Sequence, residues 1–284
     1  MIREEDSKYI KRFIKAALEE DIKDGDHTTL ACIPSSQNGK ARCLIKQDGV
    51  LAGVELAVEI FQIVDPGLEV DIKIEDGTRI KYGDVPFFVS GKKQSILTAE
   101  RLVLNFMQRM SGISSLTRLF ADKIAHTTSK LLDTRKTTPG LRVFEKWAVR
   151  IGGGHNHRMG LYDRVMIKDN HVDFCGGIAQ AIDTVEKYLK AKNIDIPIEI
   201  ETRNLAEVAQ VLKRGGVDRI MLDNYDLSSM REAVQLINGR FETEGSGGVN
   251  LDTIGPIAET GVDYVSVGAL THSATALDIS LKAV

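Results

Sequence analysis

The chain has 284 residues, with 37 Lys or Arg against 40 Asp or Glu, a formal net charge of -3 and 43% apolar residues. That is the make-up of an ordinary globular protein with material for one large domain or two, and it argues against a nucleic-acid partner. No apolar run approaches the ~20 residues of a membrane span. Cys32, Cys43 and Cys175 are too far apart for a CxxC site and odd in number for a disulfide framework. With an N-terminal MIREEDSKYIKRF that lacks a signal peptide's apolar centre, these features predict a cytoplasmic protein.

Taken in order, Ser7 to Glu20 carries Ile10, Phe13, Ile14, Ala17 and Leu18 at the spacing of one helical face. Residues 20–29 read as an acidic, turn-rich loop. Between Lys40 and Lys92, β-like runs (Ala41–Lys46, Leu68–Ile74, Val85–Val89) alternate with Gly and Asp turns, and Val54–Val64 reads as a helix among them. This predicts a small α+β domain. A longer helix, about Leu97 to Arg109, follows; Ser111-Gly112 is expected to interrupt it, and Arg101, Asn105 and Gln108 share one side. On a helix such a side is, by default, a solvated polar face.

Beyond Gly112 strand-like runs recur with helical patterns between them: Leu131–Asp133, Val165–Lys168, Ile198–Glu201, Arg219–Asp223, Phe241–Glu244 and Tyr264–Val267. This is the alternation of a parallel α/β sheet, and six runs are fewer than a full (β/α)₈ barrel needs. A smaller or open barrel is expected, giving an α/β protein with a domain over residues 1–112 and a barrel over 113–284.

The stretch from Leu131 to His171 organises the chemistry. Between Asp133 and Asp169 it holds eight basic residues (Arg135, Lys136, Arg142, Lys146, Arg150, Arg158, Arg164, Lys168) against Asp133, Glu145, Asp163 and Asp169. A local charge of +4 in an acidic chain points to a small anionic ligand. Each run ends in polar or glycine residues: Arg135/Lys136, Lys168, Glu201, Asp223/Asn224, Ser246-Gly247-Gly248 and Gly268. In α/β barrels that face holds the active site, and the last loops commonly hold a phosphate. The glycines of Ser246-Gly247-Gly248 and Gly268 let backbone N–H groups approach phosphate oxygens; by itself a GSGG is as readily a tight turn. Arg135, Lys136, Arg158 and Lys168 converge as anion ligands, arginine by its planar fork and lysine as a point charge. Glu201 and Asp223, on adjacent strand ends, suit Mg²⁺, sugar hydroxyls or charge balance for the cations. In Gly152-Gly153-Gly154-His155-Asn156-His157 the i, i+2 histidines argue against zinc, and His157 reads as a hydrogen-bond donor to an anion. Phe144 and Trp147 read as core.

At these residues the sequence resembles the quinolinate phosphoribosyltransferases, also called nicotinate-nucleotide pyrophosphorylases (carboxylating). The resemblance rests on Asp133-Thr134-Arg135-Lys136-Thr137-Thr138-Pro139-Gly140-Leu141-Arg142 and Gly152-Gly153-Gly154-His155-Asn156-His157-Arg158-Met159-Gly160-Leu161. Ile167–His171, Glu199-Ile200-Glu201, Met221–Asn224, Ser246–Gly248, Ser266–Leu270, Gly25–Thr29 and Glu100-Arg101 extend it nearly end to end. Gly245 stands where alanine is expected, and Ser114-Ser115 where Ala-Thr is expected. The resemblance implies an N-terminal α/β domain, sandwich-like, followed by an incomplete, open α/β barrel of the type II phosphoribosyltransferase kind. It implies transfer of phosphoribosyl from phosphoribosyl pyrophosphate to quinolinate with Mg²⁺, giving nicotinate mononucleotide, pyrophosphate and CO₂ for NAD biosynthesis. It also implies a homodimer or an assembly of dimers. Arg135, His157, Arg158 and Lys168 would hold the quinolinate carboxylates, with Arg101 supplied by the partner subunit. Lys136, Glu201 and Asp223 would bind phosphoribosyl pyrophosphate and its metal, directly or through water, and Ser246, Gly247, Gly248 and Gly268 its 5′-phosphate. Lys136, Lys168, Glu201 and Asp223 would be the catalytic set.

Rival readings stay within reach of the same residues. A nicotinate phosphoribosyltransferase, or the related molybdenum-transport-associated protein, would share the fold, but a monocarboxylate needs fewer cations. A Schiff-base aldolase would use Lys168, and a non-catalytic anion binder would not need both Glu201 and Asp223.

Overall fold

A computed structural model of the chain describes residues 4–284; Met1, Ile2 and Arg3, the start of the N-terminal segment read above, lie outside it. In order the elements are α1 (Glu4–Ile22), α2 (His27–Cys32), β1 (Asn38–Ile45), β2 (Gly49–Val50), α3 (Val54–Val64), β3 (Glu69–Ile72), β4 (Arg79–Ile80), β5 (Phe87–Lys92) and α4 (Lys93–Ile124). Then come β6 (Lys130–Leu132), α5 (Arg142–Ile151), β7 (Val165–Ile167), α6 (Asp169–Cys175), α7 (Ile178–Lys192), β8 (Ile198–Thr202), α8 (Leu205–Arg214) and β9 (Arg219–Asp223). The chain closes with α9 (Leu227–Ile237), β10 (Glu242–Ser246), α10 (Ile254–Ala258), β11 (Tyr264–Ser266), α11 (Ala269–His272) and β12 (Ile279–Ala283). Two compact units result: residues up to 118 with 138–153 and 273–284, and residues 119–137 with 154–272.

The first unit is built on an antiparallel sheet ordered β12-β1-β5-β3. Alternation along β1 buries Ala41, Cys43 and Ile45 on one face. Phe87 from β5 meets Phe61 of α3 edge-on at 6.0 Å. A second aromatic cluster joins Phe13 of α1, Phe106 of α4 and Phe144 of α5, with Phe106 and Phe144 only 4.6 Å apart between ring centres. Phe144 and Trp147 are core, as their sequence context implied.

Three local differences from the sequence reading have physical causes. The stretch taken as an acidic loop is shorter, because α1 runs to Ile22 and the Asp26 carboxylate caps α2 by accepting the Thr29 N–H at 3.0 Å. Helix α4 runs unbroken through Ser111-Gly112. Ser111 there pins Ala52, its hydroxyl accepting the Ala52 N–H and donating to the Ala52 carbonyl. Gly112 lies under the Thr275 carbonyl, where a Cβ would collide with backbone. Both are close-packing residues, not breakers. Finally, β12, unanticipated from sequence, returns to pair antiparallel with β1 from Ala41↔Ala283 to Ile45↔Ile279. Gln108 fastens that return by donating to the Ile279 carbonyl, so it is not part of a solvated face.

The second unit contains all six anticipated strands, parallel and ordered β6-β11-β10-β9-β8-β7. Strands β6 and β7 are the edges of an open barrel. Beside β6, His155 bridges to Leu132, with its N–H on the Leu131 carbonyl and its carbonyl accepting the Asp133 N–H. Gly245 has a packing reason of its own: a Cβ there would sit 2.9 Å from Ile257 and 3.4 Å from the Met230 sulfur, on the helix-covered side of β10.

Candidate active site

Strand periodicity sets which residues reach the barrel interior. In register, β8 and β9 pair Glu199 with Arg219 and Glu201 with Met221, and β9 and β10 pair Met221 with Glu244 and Asp223 with Ser246. The pleat therefore points Glu199 and Glu201, Met221 and Asp223, and Glu244 and Ser246 to the same side, while Ile200, Leu222 and Gly245 face the helices.

At the C-terminal ends these residues open into a cavity of about 670 Å³, the size of a small-molecule site. Arg135, Lys136, His157, Arg158, Lys168, Glu201, Asp223, Ser246, Gly247, Gly248 and Gly268 all line it. Arg101 does not; it is exposed on α4 in the other unit. His272, Asn224 and Glu244 also line the cavity, and the sequence reading gave them no role.

The loop carrying His157 and Arg158 is anchored from below. Buried Asp133 accepts the His157 N–H at 2.8 Å and the Asn156 side-chain amide at 2.6 Å. Asp163 accepts the N–H groups of Met159 and Gly160. The Arg158 guanidinium donates to the Arg164 carbonyl at 3.1 Å. Burial, and then the charge of Arg135, lower its pKa, as expected where cations are gathered to meet an anion. At the ends of the paired strands β7 and β8, Glu201 lies 3.7 Å from the Lys168 ammonium. Burial pushes its pKa up against that lysine, and the Asp223 charge pushes in the same direction.

The glycine cradle has little slack. Gly247 holds φ +97°, and a Cβ there would press on Asn224, itself left-handed at φ 57°. The Asn224 N–H donates to the Ser246 carbonyl at 3.0 Å, tying the ends of β9 and β10 together. At Gly268 a Cβ would lie 2.9 Å from Lys136 and 3.2 Å from His272 Nε2, so glycine is what lets both side chains reach the cavity.

His157 is more enclosed than a simple anion donor. Its Nδ1 accepts the Arg158 N–H at 2.7 Å, and its Nε2 lies 3.3 Å from Glu199 and 3.4 Å from Glu244. Burial alone would lower its pKa; hydrogen bonding to and charge from the two carboxylates outweigh this and push it up to about 9. With Nδ1 already accepting an N–H, the ring's own N–H lies on Nε2, facing Glu199 and Glu244; burial, and then the charge of Glu244, push the Glu199 pKa up.

An open α/β barrel whose last strand ends carry glycine turns beside clustered cations and an acidic pair has the donor set of an enzyme acting on a phosphate-bearing substrate. Comparison with known proteins narrows this. Residues 26–111 match the quinolinate phosphoribosyl transferase N-terminal domain, and residues 113–282 its C-terminal domain. The chain is 51% identical to tobacco (Nicotiana tabacum) quinolinate phosphoribosyltransferase [decarboxylating] 1b, over 96% of this chain and 82% of that protein. It is equally similar, with the same coverage, to the chloroplastic nicotinate-nucleotide pyrophosphorylase [carboxylating] of Arabidopsis thaliana. Among solved structures, NadC from Streptococcus pyogenes superposes with a TM-score of 0.91 at 39% identity, covering 97% of each chain. The chain belongs to the quinolinate phosphoribosyltransferase family.

Proposed function

We propose that the protein transfers the phosphoribosyl group of phosphoribosyl pyrophosphate to quinolinate, with loss of CO₂, to form nicotinate mononucleotide for NAD biosynthesis. The observation that carries this reading is one cavity joining Arg135, Arg158 and Lys168 to the Ser246-Gly247-Gly248 cradle across an acidic pair. The pyridine nitrogen attacks the anomeric carbon as its bond to pyrophosphate breaks, the pair leaving with pyrophosphate. No side-chain nucleophile is needed; the residues position the nitrogen and stabilise the departing charge. The C–CO₂ bond beside the now cationic nitrogen then breaks, its electrons remaining on the ring carbon until a proton from solvent replaces the carboxylate. Arg135, Arg158 and Lys168 hold the two carboxylates, and Lys136 and the glycines hold the phosphates.

We assign Mg²⁺ to Glu201 and Asp223. The raised pKa of Glu201, partly from Asp223, marks an acidic pair that a cation would relieve, and hard oxygen donors suit this ion. Bound there, Mg²⁺ would neutralise pyrophosphate charge. Chelation with EDTA should abolish turnover, and added Mg²⁺ should restore it, measured as nicotinate mononucleotide and CO₂ released together. Both products from quinolinate, with nicotinate inert, support the reading; product only from nicotinate sinks the carboxylate assignments.

Gly247→Ala tests the cradle. A side chain at that left-handed position strains the turn and crowds Asn224. The KM for phosphoribosyl pyrophosphate should rise by roughly tenfold or more, with quinolinate affinity little changed in a direct binding measurement.

We also place the protein in the cytoplasm as a homodimer in which Arg101 of the partner subunit completes each cavity. The free cysteines Cys32, Cys43 and Cys175 suit a reducing compartment, and exposed Leu161, Tyr162 and Phe174 suit a covered surface. Among the described residues no helix is long and apolar enough to cross a membrane.

A further inference from the structure

Beneath the mouth of a small α/β barrel the interior is normally filled by branched apolar side chains. Here it is charged. Glu199 and Glu244 are fully buried, two residues below Glu201 and Ser246 on the same strand faces. Glu244 accepts from the Arg219 guanidinium at 2.9 Å, and Glu199 lies 3.7 Å from that of Arg164. Glu199 Oε1 has no hydrogen-bond partner among the described residues. An apolar filling would avoid the desolvation cost of so many buried charges, so stability alone does not account for the cluster.

The His157, Glu199 and Glu244 ligand atoms lie within 4.8 Å of one another, which invites a metal. Arg219 and Arg164 already supply the cations, and a metal ion would sit against both. The cluster instead looks toward the cavity through His157. From the two carboxylates the contacts pass to His157 Nε2, and from its Nδ1 to the Arg158 N–H. Arg164, whose guanidinium faces Glu199, also supplies the carbonyl that the Arg158 guanidinium grips.

We propose that Glu199 and Glu244 are positioning residues of the carboxylate pocket. They clamp His157 from below, and through it they set the direction from which Arg158 enters the cavity. The proposal rests on the quinolinate reading and adds two residues to the reaction, Glu244 at the edge of the cavity and Glu199 behind it, both acting through His157.

Isosteric Glu199→Gln and Glu244→Gln keep the volume of each side chain and change what faces His157. Initial rates would be measured with quinolinate and phosphoribosyl pyrophosphate varied separately, together with ring ¹⁵N spectra of His157. The expected result is a quinolinate KM raised roughly tenfold or more, a nearly unchanged KM for the other substrate, and altered His157 ring shifts. A merely structural role would lower Tm and the active fraction while leaving both KM values alone, and that outcome overturns the proposal. Should the variants not fold, the wild-type spectrum decides: Nε2 protonated with Nδ1 bare supports the clamp, and a proton on Nδ1 overturns it. Wild-type protein without turnover on quinolinate overturns the substrate reading itself. Unchanged quinolinate KM in folded variants of an active enzyme overturns only the positioning role.

Discussion

Arg158→Ala should lower kcat/KM for quinolinate by about 10²–10³-fold, while the KM for phosphoribosyl pyrophosphate stays within about threefold. Truncating one partner of a desolvated charge pair costs ~2–5 kcal/mol, and each ~1.4 kcal/mol is tenfold. Arg158 is a strong candidate for such a loss because its surroundings leave it no substitute. Its backbone is held by His157, its guanidinium by the Arg164 carbonyl, and burial, then the charge of Arg135, already depress its pKa. Removing it takes away the donor without freeing another to move in. Arg158→Lys should recover only part of the activity, since a point charge cannot replace the planar fork. Initial rates with quinolinate and phosphoribosyl pyrophosphate varied in turn check both. Arg135→Ala should behave similarly, and near-normal kinetics in both alanine variants would refute the assignment of the carboxylate pocket.

The barrel was legible because most of its strands are short apolar runs ending abruptly in polar residues, β10 (Glu242–Ser246) being the polar exception. Which residues face inward follows from the period of two once the strand register is known. That same period was also the signal for what the sequence reading left out. Glu199 lies two residues before Glu201 and Glu244 two before Ser246, so each strand carried a second interior polar residue below the one assigned a role. Glu199 stands in the sequence reading only within Glu199-Ile200-Glu201 and Glu244 only as the end of the run Phe241–Glu244, neither with a role. His272 had no such signal: it reaches the cavity at the end of α11, and only tertiary packing beside Gly268 reveals it. The N-terminal unit was less legible. Ser111-Gly112 carries a local breaker signature, yet the groups that explain it, Ala52 and Thr275, are far away in sequence. Likewise β12 depends on pairing with β1, over two hundred residues earlier, a contact that no local pattern encodes.

The largest expected loss of stability away from the cavity is at Glu145. This carboxylate is buried on α5, at 1% exposure, and four donors converge on it. Arg109 approaches Oε1 with Nε at 3.1 Å and Nη2 at 2.7 Å, and the Thr138 hydroxyl reaches the same oxygen at 2.9 Å. Its Oε2 accepts the Thr138 N–H at 3.0 Å. Glu145→Ala removes the acceptor of the Thr138 hydroxyl and N–H and leaves the half-buried Arg109 guanidinium with the Ala274 carbonyl, which Nη1 reaches at 2.8 Å, but without its counter-charge. Breaking a pair whose carboxylate is buried but whose guanidinium is 27% exposed falls at the low end of the ~3–5 kcal/mol that fully buried pairs cost, about 3 kcal/mol. In a chain of this size each ~1 kcal/mol moves Tm by roughly 2–4 °C, so a fall of about 10 °C is expected. Glu145→Gln keeps the volume and one acceptor oxygen and should lose roughly half as much. Thermal unfolding followed by circular dichroism separates the two. A Glu145→Ala protein as stable as the wild type would mean that Arg109 and Thr138 find other partners, and that α4 and α5 are held by their apolar contacts, Phe106 against Phe144 foremost, without the ion pair.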